Sequence, residues 1–332
     1  MESTSNADMP YRRFGRSGLA ASVIGLGCNN LGKPGTASET FGGATALIDA
    51  AIDAGITLFD TSDTYGATPG LSEELLGQAL GRRRADVVVA TKFGMNMRGA
   101  NGDDFAARGS RRYLVRAVDE SLRRLGTEWI DLYQFHTPDP LTPIDETLSA
   151  MDDLVRSGKI RYAGHANRAG WQIAEAEYVA RAGGGTRFVS AQNQYNLLAR
   201  EAEQEVLPAV RAYDMGFLPF FPLANGLLTG KYTRSGGPAD GRITRSKPHL
   251  LESAPWDRLE RFTAFAAERG ISELTASLGW LAAQDGVTSV IAGATRPEQV
   301  EQNAAAAAWV PDAADLEEID MIFPPAAPVS PF

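Results

Sequence analysis

Four residues whose types could carry one reaction stand at the ends of apolar runs. In FDTSDTYG, residues 59–66, the run ITLF stops on Asp60, with Asp63 and Tyr65 just beyond it. VVVATK (87–92) ends on Lys92, and IDLYQFH (130–136) ends on His136. A tyrosine hydroxyl, with an ordinary pKa of about 10, is a poor acid at neutral pH. A neighbouring ammonium such as Lys92 is expected to lower that value, and a buried Asp60 would hold the ammonium in place. Tyr65 could then donate a proton to a developing alkoxide, while His136 donates a hydrogen bond to a carbonyl oxygen. Alone, each residue has a bland explanation: a turn former, a snorkelling lysine, a packing tyrosine, a core histidine. Together they lack a nucleophile and a metal, so the electrons must come from a hydride donor.

Positioning these groups requires strands that end at one place. SVIGLG (22–27), ITLFD (56–60), VVVATK, IDLYQFH, IRYAG (160–164), RFVSAQN (187–193), GFLPFF (216–221) and TSVIAG (288–293) read as strands. Helical periodicity separates them: about 44–52, LSEELLGQAL (71–80) with Ser72 as N-cap, 112–125, 145–157, 169–182, 201–214, two helices between Trp256 and Gln284, and one from Pro297. Eight strand-then-helix units without a linker predict a single (β/α)8 TIM barrel over residues 1–332, close to the roughly 250 core residues that fold needs. YRRFGRSGLAAS (11–22) predicts a β-hairpin turning at Ser17-Gly18, a plug on the N-terminal end of the barrel. The ends, 1–10 and 324–332, are expected to be flexible tails. Two long loops, 94–110 and 223–251, follow strands and so belong on the catalytic face, where either could act as a lid.

Composition narrows the classes. With 332 residues, a net charge of −9 and no basic run interleaved with aromatics, nucleic acid is an unsuitable partner. The single cysteine, Cys28, excludes an intramolecular disulfide and any multi-thiolate metal site, which fits a cytoplasmic setting. The polar start, MESTSNADMPYRR, shows no signal peptide, and no run of about 18 apolar residues suggests a membrane span. His136, His165 and His249 do not pair at metal-ligand spacing, so no metal is expected.

FDTSDTYG, TKFG, DLYQFHTPDP, GKIRYAGHAN, QNQYN, PLANGLLTGKY and VIAGATRPEQVEQN, in this order from Tyr11 to about Trp309, resemble the aldo-keto reductase family. The resemblance implies an NADPH-dependent carbonyl reductase acting on a small-molecule carbonyl substrate, with Asp60, Tyr65, Lys92 and His136 as a catalytic tetrad. It further implies that Asn167 and Gln192 bond the nicotinamide carboxamide and that Phe220 stacks on its ring. Pro222, Leu223, Gly226, Leu228 and Lys231 would follow the pyrophosphate. Gly293, Thr295, Arg296, Gln299 and Asn303 would hold the adenosine end, with Arg296 on the 2′-phosphate, where a planar fork of donors suits.

Two departures shift weight within that set. Ala166 replaces the usual serine before Asn167, loading nicotinamide anchoring onto Asn167 and Gln192, and Gly293 stands where many members have lysine. GLGCNNLG (25–32) nearly matches the dinucleotide fingerprint, but Asn30 replaces its third glycine and no helix opens until about Ser38. Gly27, Cys28 and Asn29 are instead expected to approach the substrate and nicotinamide ribose, with Cys28 and Asn29 facing the mouth. A small buried filler is the plainer role for Cys28 than a reactive thiol. Asn29, Met95, Met97, Phe105, Tyr195 and residues near His249 are expected to line an aldehyde, ketone or ketosugar pocket. Two other readings fit the same barrel: a nicotinamide-carrying regulatory subunit of the channel β-subunit type, and a Schiff-base aldolase or isomerase using Lys92.

Overall fold

The computed structural model describes residues 9–239 and 241–327. The chain opens with an antiparallel hairpin, β1 (Tyr11–Arg13) and β2 (Ala20–Ser22), registered Tyr11 to Ser22. Eight parallel strands follow: β3 (Ile24–Gly27), β4 (Leu58–Asp60), β5 (Val88–Phe93), β6 (Ile130–Phe135), β7 (Ile160–Ala166), β8 (Phe188–Gln192), β9 (Gly216–Phe217) and β10 (Val290–Gly293). They pair in chain order, with β10 returning to β3. Between the last two neighbours the ring closes through Thr288 N–H to the Phe217 carbonyl, 2.9 Å, and Ile291 N–H to the Pro219 carbonyl, 3.0 Å. The fold is the expected (β/α)8 barrel.

Helices α1 (Phe41–Asp53), α2 (Leu71–Leu80), α3 (Arg111–Leu125), α4 (Ile144–Arg156), α5 (Gly170–Gly183) and α6 (Val206–Ala212) alternate with the strands. The short α7 (Arg242–Ser246) and α8 (His249–Glu252) lie within the long loop after β9, followed by α9 (Trp256–Glu268) and α10 (Glu273–Ala283), then α11 (Pro297–Ala305) and α12 (Ala313–Ile322) after β10. Local chemistry explains the boundaries of α3. Ser110 accepts from the Tyr113 N–H at its start, and Gly126 ends it at φ 61.

Three elements differ from expectation. The helix foreseen over 201–214 divides into a 3-10 turn, Glu201–Glu203, and α6, because Pro208 fits only in a first turn. The strand foreseen over 216–221 keeps a regular ladder only at Gly216–Phe217, since Pro219 has no N–H to donate. Ser72 does not cap α2: Gly70 holds that position, and the buried Ser72 hydroxyl bonds the Cys28 carbonyl at 2.8 Å and Thr61 at 2.9 Å.

The hairpin plugs the barrel floor. Phe14, Leu19 and Ala21 pack with Leu58, Ala90, Leu132, Leu218 and Ile291 in one buried cluster. Residues 1–8 and 328–332, most of the two expected tails, lie outside the described residues. Next to them the chain is bonded: Val23 donates to the Pro10 carbonyl and Gln204 to that of Ala327. Among the described residues, no helix is long and apolar enough to cross a membrane.

Candidate active site

Alternation along the strands builds the site on this floor. Leu58 and Asp60 in β4, Ala90 and Lys92 in β5, and Leu132 and Gln134 in β6 share the inward face. The lower member of each pair joins the apolar floor, and the upper one forms a polar layer above it. Gly164, the matching position in β7, has no room for a side chain, because a Cβ there would sit 2.3 Å from Ser190 Oγ.

Lys92 is fully buried, and its ammonium donates to Asp60 Oδ2 at 2.6 Å and to the Thr61 carbonyl at 2.9 Å. Asp60 Oδ1 in turn accepts from Gln192 Nε2 at 2.9 Å and Gln134 Nε2 at 3.1 Å. Burial by itself pulls the Lys92 ammonium down, but Asp60, then Tyr65, outweigh it and hold its pKa above the ordinary value. The lysine is a fixed cation 5.1 Å from the Tyr65 ring.

Tyr65 stands on the loop after β4, edge-on to His136 with ring centroids 5.9 Å apart and planes at 85°. Its pKa departs from expectation. Burial raises it, Lys92 opposes and Asp60 adds to the rise, so the phenol lies above its ordinary value. The lowering expected from Lys92 is present but does not win, and Tyr65 retains its proton, as a proton donor must. His136 is driven down to about 3 by burial and then by Lys92, so its imidazole is neutral. Its Nδ1 lies 3.1 Å from Ser62 Oγ.

The structure thus brings the four strand-end residues together and adds several that the sequence reading missed. Gln134 was detectable, two residues before His136 and therefore on the same strand face. Asp63 lies in the singled-out stretch FDTSDTYG but had no role there, and Ser62 and Asn101 gave no such signal. Asn101, in the loop 94–110, donates to Asp63 Oδ2 at 3.1 Å, which ties that loop to the segment carrying Tyr65.

The residues expected around a cofactor divide by accessibility. Asn167, just past the end of β7 with φ 57, is exposed, donates its backbone N–H to the Gln192 carbonyl at 3.0 Å and its side-chain amide to the His136 carbonyl at 2.9 Å. Gln192 already spends its amide on Asp60 and, at 3.4 Å, on Gln134. Phe220 is half-buried beside Phe221, with centroids 5.1 Å apart. Pro222, Leu223 and Gly226, the last at φ 107, follow in the loop. Lys231 is exposed, with its ammonium 5.4 Å from the Tyr232 ring. Gly27 and Gly293 pair in register across β3 and β10, and Asn29 is half-buried beyond them. Thr295 donates through N–H and hydroxyl to Gln299 Oε1, Arg296 is exposed at the start of α11, and the Asn303 side chain is buried.

Four expectations are corrected. Cys28 does not face the mouth: it is fully buried, with Sγ 3.6 Å from the Leu26 carbonyl, and burial pushes its thiol up, so only its main chain could meet a ligand. The Leu228 side chain is likewise sealed in the core. Tyr195 lines no pocket; it is buried, with its hydroxyl donating to Glu203 at 2.7 Å. Met97 is 2% exposed, whereas Met95 and Phe105 stand out at 38% and 68%.

Known proteins resemble this chain over most of its length. The chain is 36% identical over 322 residues to the uncharacterized oxidoreductase YrpG of Bacillus subtilis (strain 168), covering 95% of this chain and 96% of that protein. It is 35% identical over 318 residues to a protein of Oryza sativa subsp. japonica named probable voltage-gated potassium channel subunit beta, covering 91% and 92%. It is 34% identical over 308 residues to L-glyceraldehyde 3-phosphate reductase of Escherichia coli (strain K12), covering 89% and 86%. A model of the aldo/keto reductase family matches residues 23–323, and the chain belongs to that family.

Proposed function

We propose that the protein reduces an aldehyde or ketone, a ketosugar among the candidates, to an alcohol using NADPH, with Tyr65 as the general acid. The observation that carries this reading is the buried Lys92 ammonium, held 2.6 Å from Asp60 and 5.1 Å from the Tyr65 ring, which in turn stands edge-on to His136. A bound nicotinamide would supply the hydride. Tyr65 and His136 both address the carbonyl oxygen: His136 orients it with a hydrogen bond, and Tyr65 delivers the proton as negative charge develops. Lys92 then stabilises the tyrosinate left behind, and Asp60 keeps the lysine from following the proton.

The donor set suits a dinucleotide phosphate. Asn167 offers an exposed amide at the mouth, and Gly293 is exposed at the end of β10. Arg296 presents an exposed guanidinium at the start of α11, where anions are favoured. Arg296 is the feature that supports NADPH over NADH, since the two differ only in the 2′-phosphate. Lys92 is unsuited to Schiff-base chemistry, because its amine is held charged and fully buried.

NADPH oxidation across aldehydes, ketones and ketosugars, beside a direct binding titration, tests the reading. Turnover lost on Tyr65→Phe supports it. Tight NADPH binding with no turnover on any carbonyl would favour a nicotinamide-carrying regulatory subunit, in keeping with the rice relative's name.

A further inference from the structure

His136 can donate to a carbonyl oxygen only if its proton sits on Nε2, and the neutral imidazole has two tautomers. The choice between them is made at Nδ1, by Ser62. We propose that Ser62 and Asp63 are positioning residues that hold His136 as the Nε2–H tautomer, through a relay in which neutral Asp63 donates to Ser62 and Ser62 donates to His136. The inference rests on the reductase reading for its consequence but not for its geometry.

The direction of each bond follows from a buried donor that never loses its protons. Arg124 donates through Nε to Glu73 Oε2 at 2.6 Å and through Nη1 to Asn101 Oδ1 at 3.1 Å. Its hold on that oxygen orients the Asn101 amide, so Nδ2 faces Asp63 Oδ2 at 3.1 Å as a donor. Asp63 Oδ2 is therefore an acceptor, and any proton on this carboxyl belongs on Oδ1, which lies 3.2 Å from Ser62 Oγ.

Charge decides that the proton is there. Asp63 and Glu73 are both fully buried, and Arg124 is the cation bonded within their cluster. Glu73 takes the direct ion pair and also accepts from the Thr91 hydroxyl at 2.6 Å. Asp63 receives a neutral amide and a hydroxyl contact, so it is the carboxyl that neutralises. In agreement, burial and then the charge of Glu73 hold Asp63 well above the usual carboxylate range. Ser62 Oγ then accepts from Asp63 and from the Thr64 N–H at 3.3 Å, which leaves its own proton for His136 Nδ1 at 3.1 Å.

The relay is read by long-range proton–nitrogen correlation spectra of the full chain carrying isotope-labelled histidine, with His136 assigned by its loss in His136→Gln. The wild type should show His136 protonated on Nε2. Asp63→Asn should keep that tautomer, because an amide can donate to Ser62 and accept from Asn101 just as a neutral carboxyl does. Ser62→Ala should release the tautomer toward Nδ1–H and lower kcat roughly tenfold, with KM and NADPH affinity within about twofold. A wild type protonated on Nδ1, a tautomer that flips in Asp63→Asn, or one unmoved in Ser62→Ala would overturn the relay. The tautomers are read without turnover, so the expected spectra in a protein that reduces no carbonyl would support the relay while sinking the reductase reading.

Discussion

The Lys92 ammonium sits 2.6 Å from Asp60 Oδ2 in an environment that leaves the lysine no solvent exposure, while Gln192 and Gln134 complete the carboxylate from the other side. Two charges taken from water at the centre of a barrel must satisfy one another, and neither can be removed without exposing the other to that cost.

That coupling gives the first prediction. Lys92→Met should destabilise the fold by about 3–5 kcal/mol, because an unpaired buried carboxylate remains. The double variant Asp60→Asn with Lys92→Met should recover part of the loss. Denaturant titration of the double variant and of Lys92→Met and Asp60→Asn alone measures it, and a double variant as unstable as the sum of the two singles would count against a mutually dependent pair.

For Tyr65→Phe, turnover should fall by roughly a hundredfold to ten-thousandfold, the span attributed to a positioned general acid. NADPH affinity should stay within a few-fold, since the hydroxyl addresses the carbonyl oxygen. Comparable losses of both in kinetics and binding titration would remove Tyr65 from that role.

Replacing Arg296 by Ala should weaken NADPH binding by about 1.5 kcal/mol or more, roughly tenfold, through loss of a charged hydrogen-bond donor. NADH binding should hardly change. Fluorescence titration with both cofactors checks the difference, and an equal loss for both would place the 2′-phosphate elsewhere.

His165 sets an acid limit on stability. It is fully buried, packed edge-on to Phe188 at 5.0 Å, and burial followed by Arg168 holds it well below its ordinary value of 6.5. Below pH 6.5 the unfolded chain binds a proton that the folded chain refuses. Stability present above that pH is therefore lost as the pH falls, by about 1.4 kcal/mol per unit until the folded group titrates. His136, held at about 3, contributes a loss of the same sign, so His165→Leu should lessen the slope below pH 6.5 in thermal unfolding without removing it, and an unchanged slope would refute the assignment.

Much of this was legible from sequence because period-two patterning survives in the chain order. Leu58 before Asp60, Ala90 before Lys92 and Leu132 before Gln134 announce strands with one inward face, and a closed parallel barrel brings their ends together. The buried-filler reading of Cys28 holds, but its turn toward the mouth and the pocket role of Tyr195 do not, for a shared reason. Both lie in loops after strands, where chain position does not say whether a side chain turns to the mouth or into the helix layer.

The sequence by itself determined the barrel, the plug and the four groups at its mouth, since these follow from local periodicity and residue type. Only the tertiary structure decided how those groups are charged. Burial raises Tyr65 against the pull of Lys92 and empties His136 of its second proton, and the distant residues Glu73, Asn101 and Arg124 meet Asp63 through folding alone. Desolvation and long-range hydrogen bonding depend on what surrounds a group in space, and no spacing along the chain encodes that.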